Sequence, residues 1–129
     1  MSVTGRCACG AVKYSAADPG FSFLCQCRAC QKVSGSGHLA QFVVPRDSFA
    51  MVGGTAAWTR ETDSGNKVTR HACAICMSPI HAEPSAAPDV LMIAAATLDD
   101  PAKFTPQKIL YPETAAPWDR PTHAPEIGD

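Results

Sequence analysis

Gly5-Arg6-Cys7-Ala8-Cys9-Gly10-Ala11-Val12-Lys13-Tyr14 opens the chain with two cysteines one residue apart, and Cys73-Ala74-Ile75-Cys76 answers it past the middle. In an extended segment residues i and i+2 project from the same face, so Cys7 and Cys9 aim two sulfurs one way. A two-residue gap lets a tight turn bring Cys73 and Cys76 to one ion. Each pair is half a tetrahedron. Joined on one metal, the pairs tie the N-terminal strand to the chain centre across roughly sixty residues, as a structural zinc does in a small fold.

The remaining cysteines form a triplet, Cys25-Gln26-Cys27-Arg28-Ala29-Cys30, which combines both spacings. Seven cysteines thus divide into four plus three. A structural zinc closes its shell with four protein ligands, whereas a catalytic zinc takes three and keeps a position for water or substrate. Three thiolates leave a Zn2+ unit with a formal charge near −1. They donate strongly, so the open position suits a soft ligand such as a thiol better than water activation. Arg28 and Lys32 stand beside the triplet to offset that charge or to hold substrate carboxylates. Ser34-Gly35-Ser36-Gly37 offers backbone amides to an anionic group, or is simply a flexible turn before a strand.

Other readings of the cysteines stay open at this level. The odd count and the tight clustering argue against a disulfide framework. A redox pair at Cys27 and Cys30 lacks the βαβ context that reading requires. One four-cysteine zinc with three free thiols is compatible with the spacing, and so is a different partnering of the clusters.

The chain has 129 residues, 46% apolar and 7% aromatic, which indicates one globular zinc-binding domain over 1–129. Much of the apolar count is alanine, which buries little area, so metal crosslinks can supply stability that packing does not. Formal net charge is −1 with no basic run, which argues against nucleic acid. Seven thiolates around two Zn2+ add about −3, bringing the loaded protein to roughly −4. The first residues carry no signal-peptide core and no stretch approaches a membrane span. A cytoplasmic location and no membrane partner are expected.

Turn residues divide the chain into short segments. Strands are expected at Val12–Ala16, Phe21–Cys25, His38–Val44, Phe49–Val52, Ala57–Thr62, Lys67–Cys73, Ile80–Glu83 and Val90–Leu98, with a short one at Lys108–Tyr111. The triplet occupies a loop between two of them. The fold reads as mainly β. Past residue 100 the chain is proline-rich, and 119–129 reads as an extended tail. Among the histidines, His71 and His81 bracket the Cys73 pair. On strands such residues are more often hydrogen-bonded than ligating, and four cysteines already complete that site. His38 follows the Gly-Ser loop and is a lesser candidate for approach to the open metal. His123 lies in the tail. Trp118 reads as a packing anchor, or else as a pocket-lining residue.

The order of these motifs resembles the glutathione-dependent formaldehyde-activating enzyme family. The likeness rests on Gly5 to Tyr14, on Cys25-Gln26-Cys27-Arg28-Ala29-Cys30-Gln31 with Ser34-Gly35, and on Cys73-x-x-Cys76. Leu98-Asp99-Asp100-Pro101 and Ala116-Pro117-Trp118-Asp119 look like its C-terminal signatures. The resemblance implies a β-tent of antiparallel sheets, a structural zinc at Cys7, Cys9, Cys73 and Cys76, and a labile, catalytic-type zinc at Cys25, Cys27 and Cys30. It implies carbon–sulfur bond formation between formaldehyde and glutathione, a small-molecule aldehyde and thiol. On that reading Arg28, Lys32, Ser34 and Gly35 are the expected substrate contacts. Three positions depart from the pattern: Gln26 stands where the family often has His, Met77 where a Gly usually follows the knuckle, and Ala72 where an aromatic usually precedes Cys73.

Overall fold

A computed structural model describes residues 1–120. Ten strands and a single α-helix follow one another among them: β1 (Ser2–Arg6), β2 (Lys13–Ala17), β3 (Ser22–Cys25), α1 (Arg28–Ser34), β4 (Leu39–Pro45), β5 (Ala50–Val52), β6 (Thr55–Glu61), β7 (Lys67–Cys73), β8 (Pro79–Pro84), β9 (Val90–Ala94) and β10 (Lys108–Leu110). They form a three-stranded sheet, β1-β2-β5, and a seven-stranded sheet, β10-β3-β4-β9-β8-β7-β6. Every pairing is antiparallel except that of β10 with β3. The expectation of a mainly β fold built on antiparallel sheets holds.

The small sheet shows a period-two burial pattern. In β1 and β2, Val3, Gly5, Tyr14 and Ala16 point inward while their neighbours face solvent. Gly5 pairs with Tyr14, and a Cβ there would sit 2.3 Å from the tyrosine ring. Glycine at position 5 therefore lets the ring lie across its partner strand. The Tyr14 hydroxyl reaches Thr97 at 2.8 Å, and burial pushes the phenol up to about 12. From the large sheet Phe42, Val44, Ile80, Leu91 and Ile93 complete one apolar core with Val3, Val12 and Tyr14.

Two elements differ from the expected layout. The run Val90–Leu98 is not one strand. β9 stops at Ala94, Ala95–Thr97 forms a 3-10 turn, and the Thr97 hydroxyl donates to the Ala94 carbonyl at 2.7 Å. Segment 28–34 of the triplet loop is a helix rather than a loop. At seven residues α1 is too short to show a 3.6-residue period and too short to be stable alone. Its ends supply what its length does not. The Cys27 sulfur accepts from the Cys30 amide at the N-cap, and Gly35 closes the C-terminus at φ 70°.

The turn after the Cys73 pair carries Met77 at φ 67°, the left-handed region that the replacement of a usual glycine implies. Met77 is 76% exposed, so little packing offsets the strain. Met77→Gly is expected to raise stability by about 1 kcal/mol, and Tm by about 3–5 °C, in a thermal melt.

Candidate metal centres and their surroundings

Cys7, Cys9, Cys73 and Cys76 place four sulfurs within 4.8 Å of one another. Sulfurs at the corners of a tetrahedron around Zn2+, with Zn–S bonds of about 2.3 Å, lie about 3.8 Å apart. The Cys7–Cys9 and Cys9–Cys73 separations are 3.6 and 3.8 Å. The donor set and its spacing therefore fit such an ion. Amides turn toward the sulfurs: Val12 N–H donates to Cys7 at 3.2 Å, and those of Ile75 and Cys76 donate to Cys73 at 3.4 Å. Hydrogen bonds of this kind stabilise thiolates. The Ser78 hydroxyl and amide hold the Cys76 thiol down at about 5.

Cys25, Cys27 and Cys30 bring three sulfurs within 4.8 Å, and the described residues add no fourth ligand to that group. Cys25 ends β3, flanked by Leu39 of β4 and Leu110 of β10. Cys27 caps α1, and Cys30 lies in its first turn, so strand end and helix start converge on one point. Without metal, the sulfur–sulfur hydrogen bond between Cys25 and Cys30 raises Cys25, with burial adding to it. The same bond lowers Cys30, burial opposes this, and the Arg70 charge adds to the lowering.

The cation against the triplet comes from across the sheet. Arg70 of β7 donates to the Cys30 sulfur at 3.4 Å and to Gln41 Oε1 at 3.3 Å. Arg28 instead lies along its own helix and bonds Gln31, and Lys32 is exposed. The Gly-Ser loop offers fewer free amides than its composition suggests. Those of Gly35 and Ser36 both go to the Gln31 carbonyl, at 2.9 and 3.3 Å. Ser34 donates its hydroxyl to the same carbonyl at 3.2 Å.

Gln26, between two triplet cysteines, holds the C-terminal segment. Its Nε2 donates to the Asp119 carboxylate at 3.0 Å, and its carbonyl accepts from Gln31 Nε2 at 2.8 Å and the Thr114 hydroxyl at 2.9 Å. His38 Nδ1 lies 2.8 Å from the same Asp119 oxygen. Burial works against that charge, yet the bonds from His38 and Gln26 hold Asp119 below its ordinary value. Residue 119, expected to begin an extended tail, is held to the body by these bonds. The rest of that tail and His123 lie outside the described residues, apart from Arg120. Trp118 is 71% exposed, so it does not anchor packing in the described part of the chain.

His71, His81 and Glu83 form a third group with ligand atoms close together. His71 Nε2 pairs with Glu83 at 2.6 Å, and Arg46 takes the other carboxylate oxygen at 2.9 Å. The two imidazoles are cross-strand neighbours stacked 4.3 Å apart at 7°. Parallel rings at that separation cannot both hold one ion in their planes, so this is a hydrogen-bonded strand pair. Burial, with His71 adding, pushes His81 from 6.5 down to about 4. A base depressed by folding contributes stability above pH 6.5 that is lost as pH falls toward 4. The expected loss between pH 7 and 5 is about 2 kcal/mol by urea titration, and His81→Gln should flatten that part of the profile.

Arg70 is the neighbour of the triplet that the sequence does not advertise. No spacing rule links residue 70 to residue 30. Only the strand register brings them together.

A solved structure of a Rhodobacter sphaeroides protein shares the fold, with TM-score 0.58 and 17% identity, over 74% of this chain and 87% of that one. No curated protein matches significantly. The family model described as glutathione-dependent formaldehyde-activating enzyme matches residues 2–114. Both cysteine groups lie inside that match, and the chain belongs to the glutathione-dependent formaldehyde-activating enzyme family.

Proposed function

We propose that this protein is a zinc-dependent enzyme of carbon–sulfur chemistry that joins a small aldehyde to glutathione or a similar thiol. The observation that carries the reading is the triplet itself: three sulfurs converge, no fourth ligand stands among the described residues, and a guanidinium lies against one of them. Cys7, Cys9, Cys73 and Cys76 would hold a structural Zn2+, and Cys25, Cys27 and Cys30 a more labile one. Zinc held by the triplet would supply an open position for a thiolate and polarisation of a carbonyl.

The protein's own groups do the rest. Arg70 balances the negative charge of three thiolates, so that an anionic sulfur can approach. A cavity of about 450 Å³ beside α1 has Arg6, Ser34, Ser36, His38, Ser78 and Thr97 set among apolar residues, with Cys7 of the four-cysteine group in its wall. Its hydroxyls and charged groups suit the carboxylates and amides of a peptide thiol, with Arg28 and Lys32 at the helix surface as further contacts. Gln26 and Asp119 keep His38 in place at that cavity. The reaction is an addition without net oxidation. A sulfur lone pair forms the C–S bond, the carbonyl π pair moves to oxygen, and that oxygen takes a proton from solvent.

Elemental analysis run beside a glutathione–formaldehyde adduct assay tests the reading. Two zinc ions per chain and adduct formation faster than the spontaneous reaction are expected. Glutathione binding by calorimetry with no acceleration would leave a thiol carrier instead. Among the described residues no helix is long and apolar enough to cross a membrane, and reduced cysteines suit a cytoplasmic setting.

A further inference from the structure

Strand register lines up a second surface beside the triplet. Trp58 pairs with Arg70, Arg70 with Ala82, and Ala82 with Met92, while Gln41 pairs with Ala94 and Cys25 with Leu39. Paired residues share a face of the sheet. Over that face lies a cavity of about 230 Å³ lined by Val33, Leu39, Trp58, Arg70, Met92 and Ala94 among others. Val33, Leu39 and Met92 pack in the same apolar cluster as Cys25 and Cys30. Arg70 both lines the groove and touches the Cys30 sulfur. Arg70 therefore links the groove to the triplet, whose cysteines do not themselves line it.

Its wall is mostly carbon. Of the polar side chains along it, Arg70 bonds Gln41 and Cys30 and His71 bonds Glu83, while Arg70 Nε and His81 Nδ1 are buried without a partner among the described residues. Trp58, 56% exposed on the outer strand β6, offers a flat ring at the rim, and Met77 stands exposed beside it. The larger cavity described above shares Leu39, Pro79 and Ala94 with this groove. Two pockets thus flank one wall, and the larger one adds Arg6, His38 and several hydroxyls to its apolar lining. A charged, amide-rich thiol suits the larger one, and formaldehyde, which has no substituent, would leave the smaller one empty.

We propose that the apolar groove binds the carbon substituent of the aldehyde, and that this protein's aldehyde substrate carries an aryl or branched alkyl group. The inference rests on the aldehyde–thiol reading above. Its test compares formaldehyde, 2-methylpropanal and benzaldehyde with glutathione and the zinc-loaded protein, each as acceleration over its own uncatalysed addition. A preference of roughly 10–100-fold for the two larger aldehydes is expected. Ala56→Phe, exposed on the groove wall and on the same sheet face as Trp58, should collapse that ratio toward one. A second readout needs no turnover. In Trp118→Phe protein, which leaves Trp58 as the sole tryptophan, benzyl alcohol should quench fluorescence saturably, and Ala56→Phe should abolish the effect. Acceleration of formaldehyde without preference for the larger aldehydes overturns the inference and leaves the proposed reaction standing. Where no aldehyde is accelerated the reaction fails, and the fluorescence titration decides the groove. Saturable quenching lost in Ala56→Phe sustains it as an apolar-ligand site, and its absence overturns it.

Discussion

Cys73→Ser should abolish the native fold. Cys73 is 1% exposed, accepts two amide hydrogen bonds and sits within reach of all three partner sulfurs. A structural zinc contributes about 10–16 kcal/mol of binding free energy to a small domain. The whole stability of a domain is about 5–15 kcal/mol. Losing one thiolate from the set therefore removes a term as large as the stability itself. The expected result is a purified variant, if soluble, with lost near-ultraviolet dichroism and no cooperative melt, and without zinc at this site. Ile75→Ala in the same turn is the control, since Ile75 is 74% exposed and contributes no ligand. A Cys73→Ser protein that melts cooperatively within a few degrees of the parent would show that the four-cysteine cluster is not a metal staple.

Cys27→Ser should do the opposite: spare the fold and remove the chemistry. The Cys27 sulfur caps α1 by accepting from the Cys30 amide, and serine is among the best N-cap residues. The helix start is thus preserved while a soft ligand becomes a hard, neutral one. Expected are a Tm within a few degrees of the parent, loss of one zinc per chain, and a fall in adduct formation of at least about 100-fold. Because the fold survives, the loss cannot be assigned to unfolding. Unchanged zinc content with unchanged turnover would remove Cys27 from the site.

How much of this was legible in advance follows from how local each feature is. The cysteine pairs announce their geometry through spacings of two and three residues, which strand and turn stereochemistry convert directly into direction. Strands such as Lys67–Cys73 showed in branched side chains and flanking turn residues. The helix α1 did not, because seven residues carry too little periodicity and its caps are a cysteine sulfur and a glycine within a motif that reads as a loop. The end of β9 at Ala94 was hidden for a related reason. An apolar run with three alanines continues the pattern, and only the Thr97 hydroxyl bond to Ala94 marks the stop.

The site divides along the same line. Residue order alone picked out two cysteine pairs and a triplet and left their partnering open; the structure brings Cys7 and Cys9 to Cys73 and Cys76 across the fold. Family membership followed from that order too. The surroundings of the triplet were decided by tertiary structure. Arg70 reaches Cys30 across the sheet, Asp119 returns to Gln26 and His38 from the far end of the chain, and the apolar groove exists only where β4, β6, β7 and β9 share a face. Contacts between residues far apart in sequence depend on register and sheet order, and neither is written in local spacing.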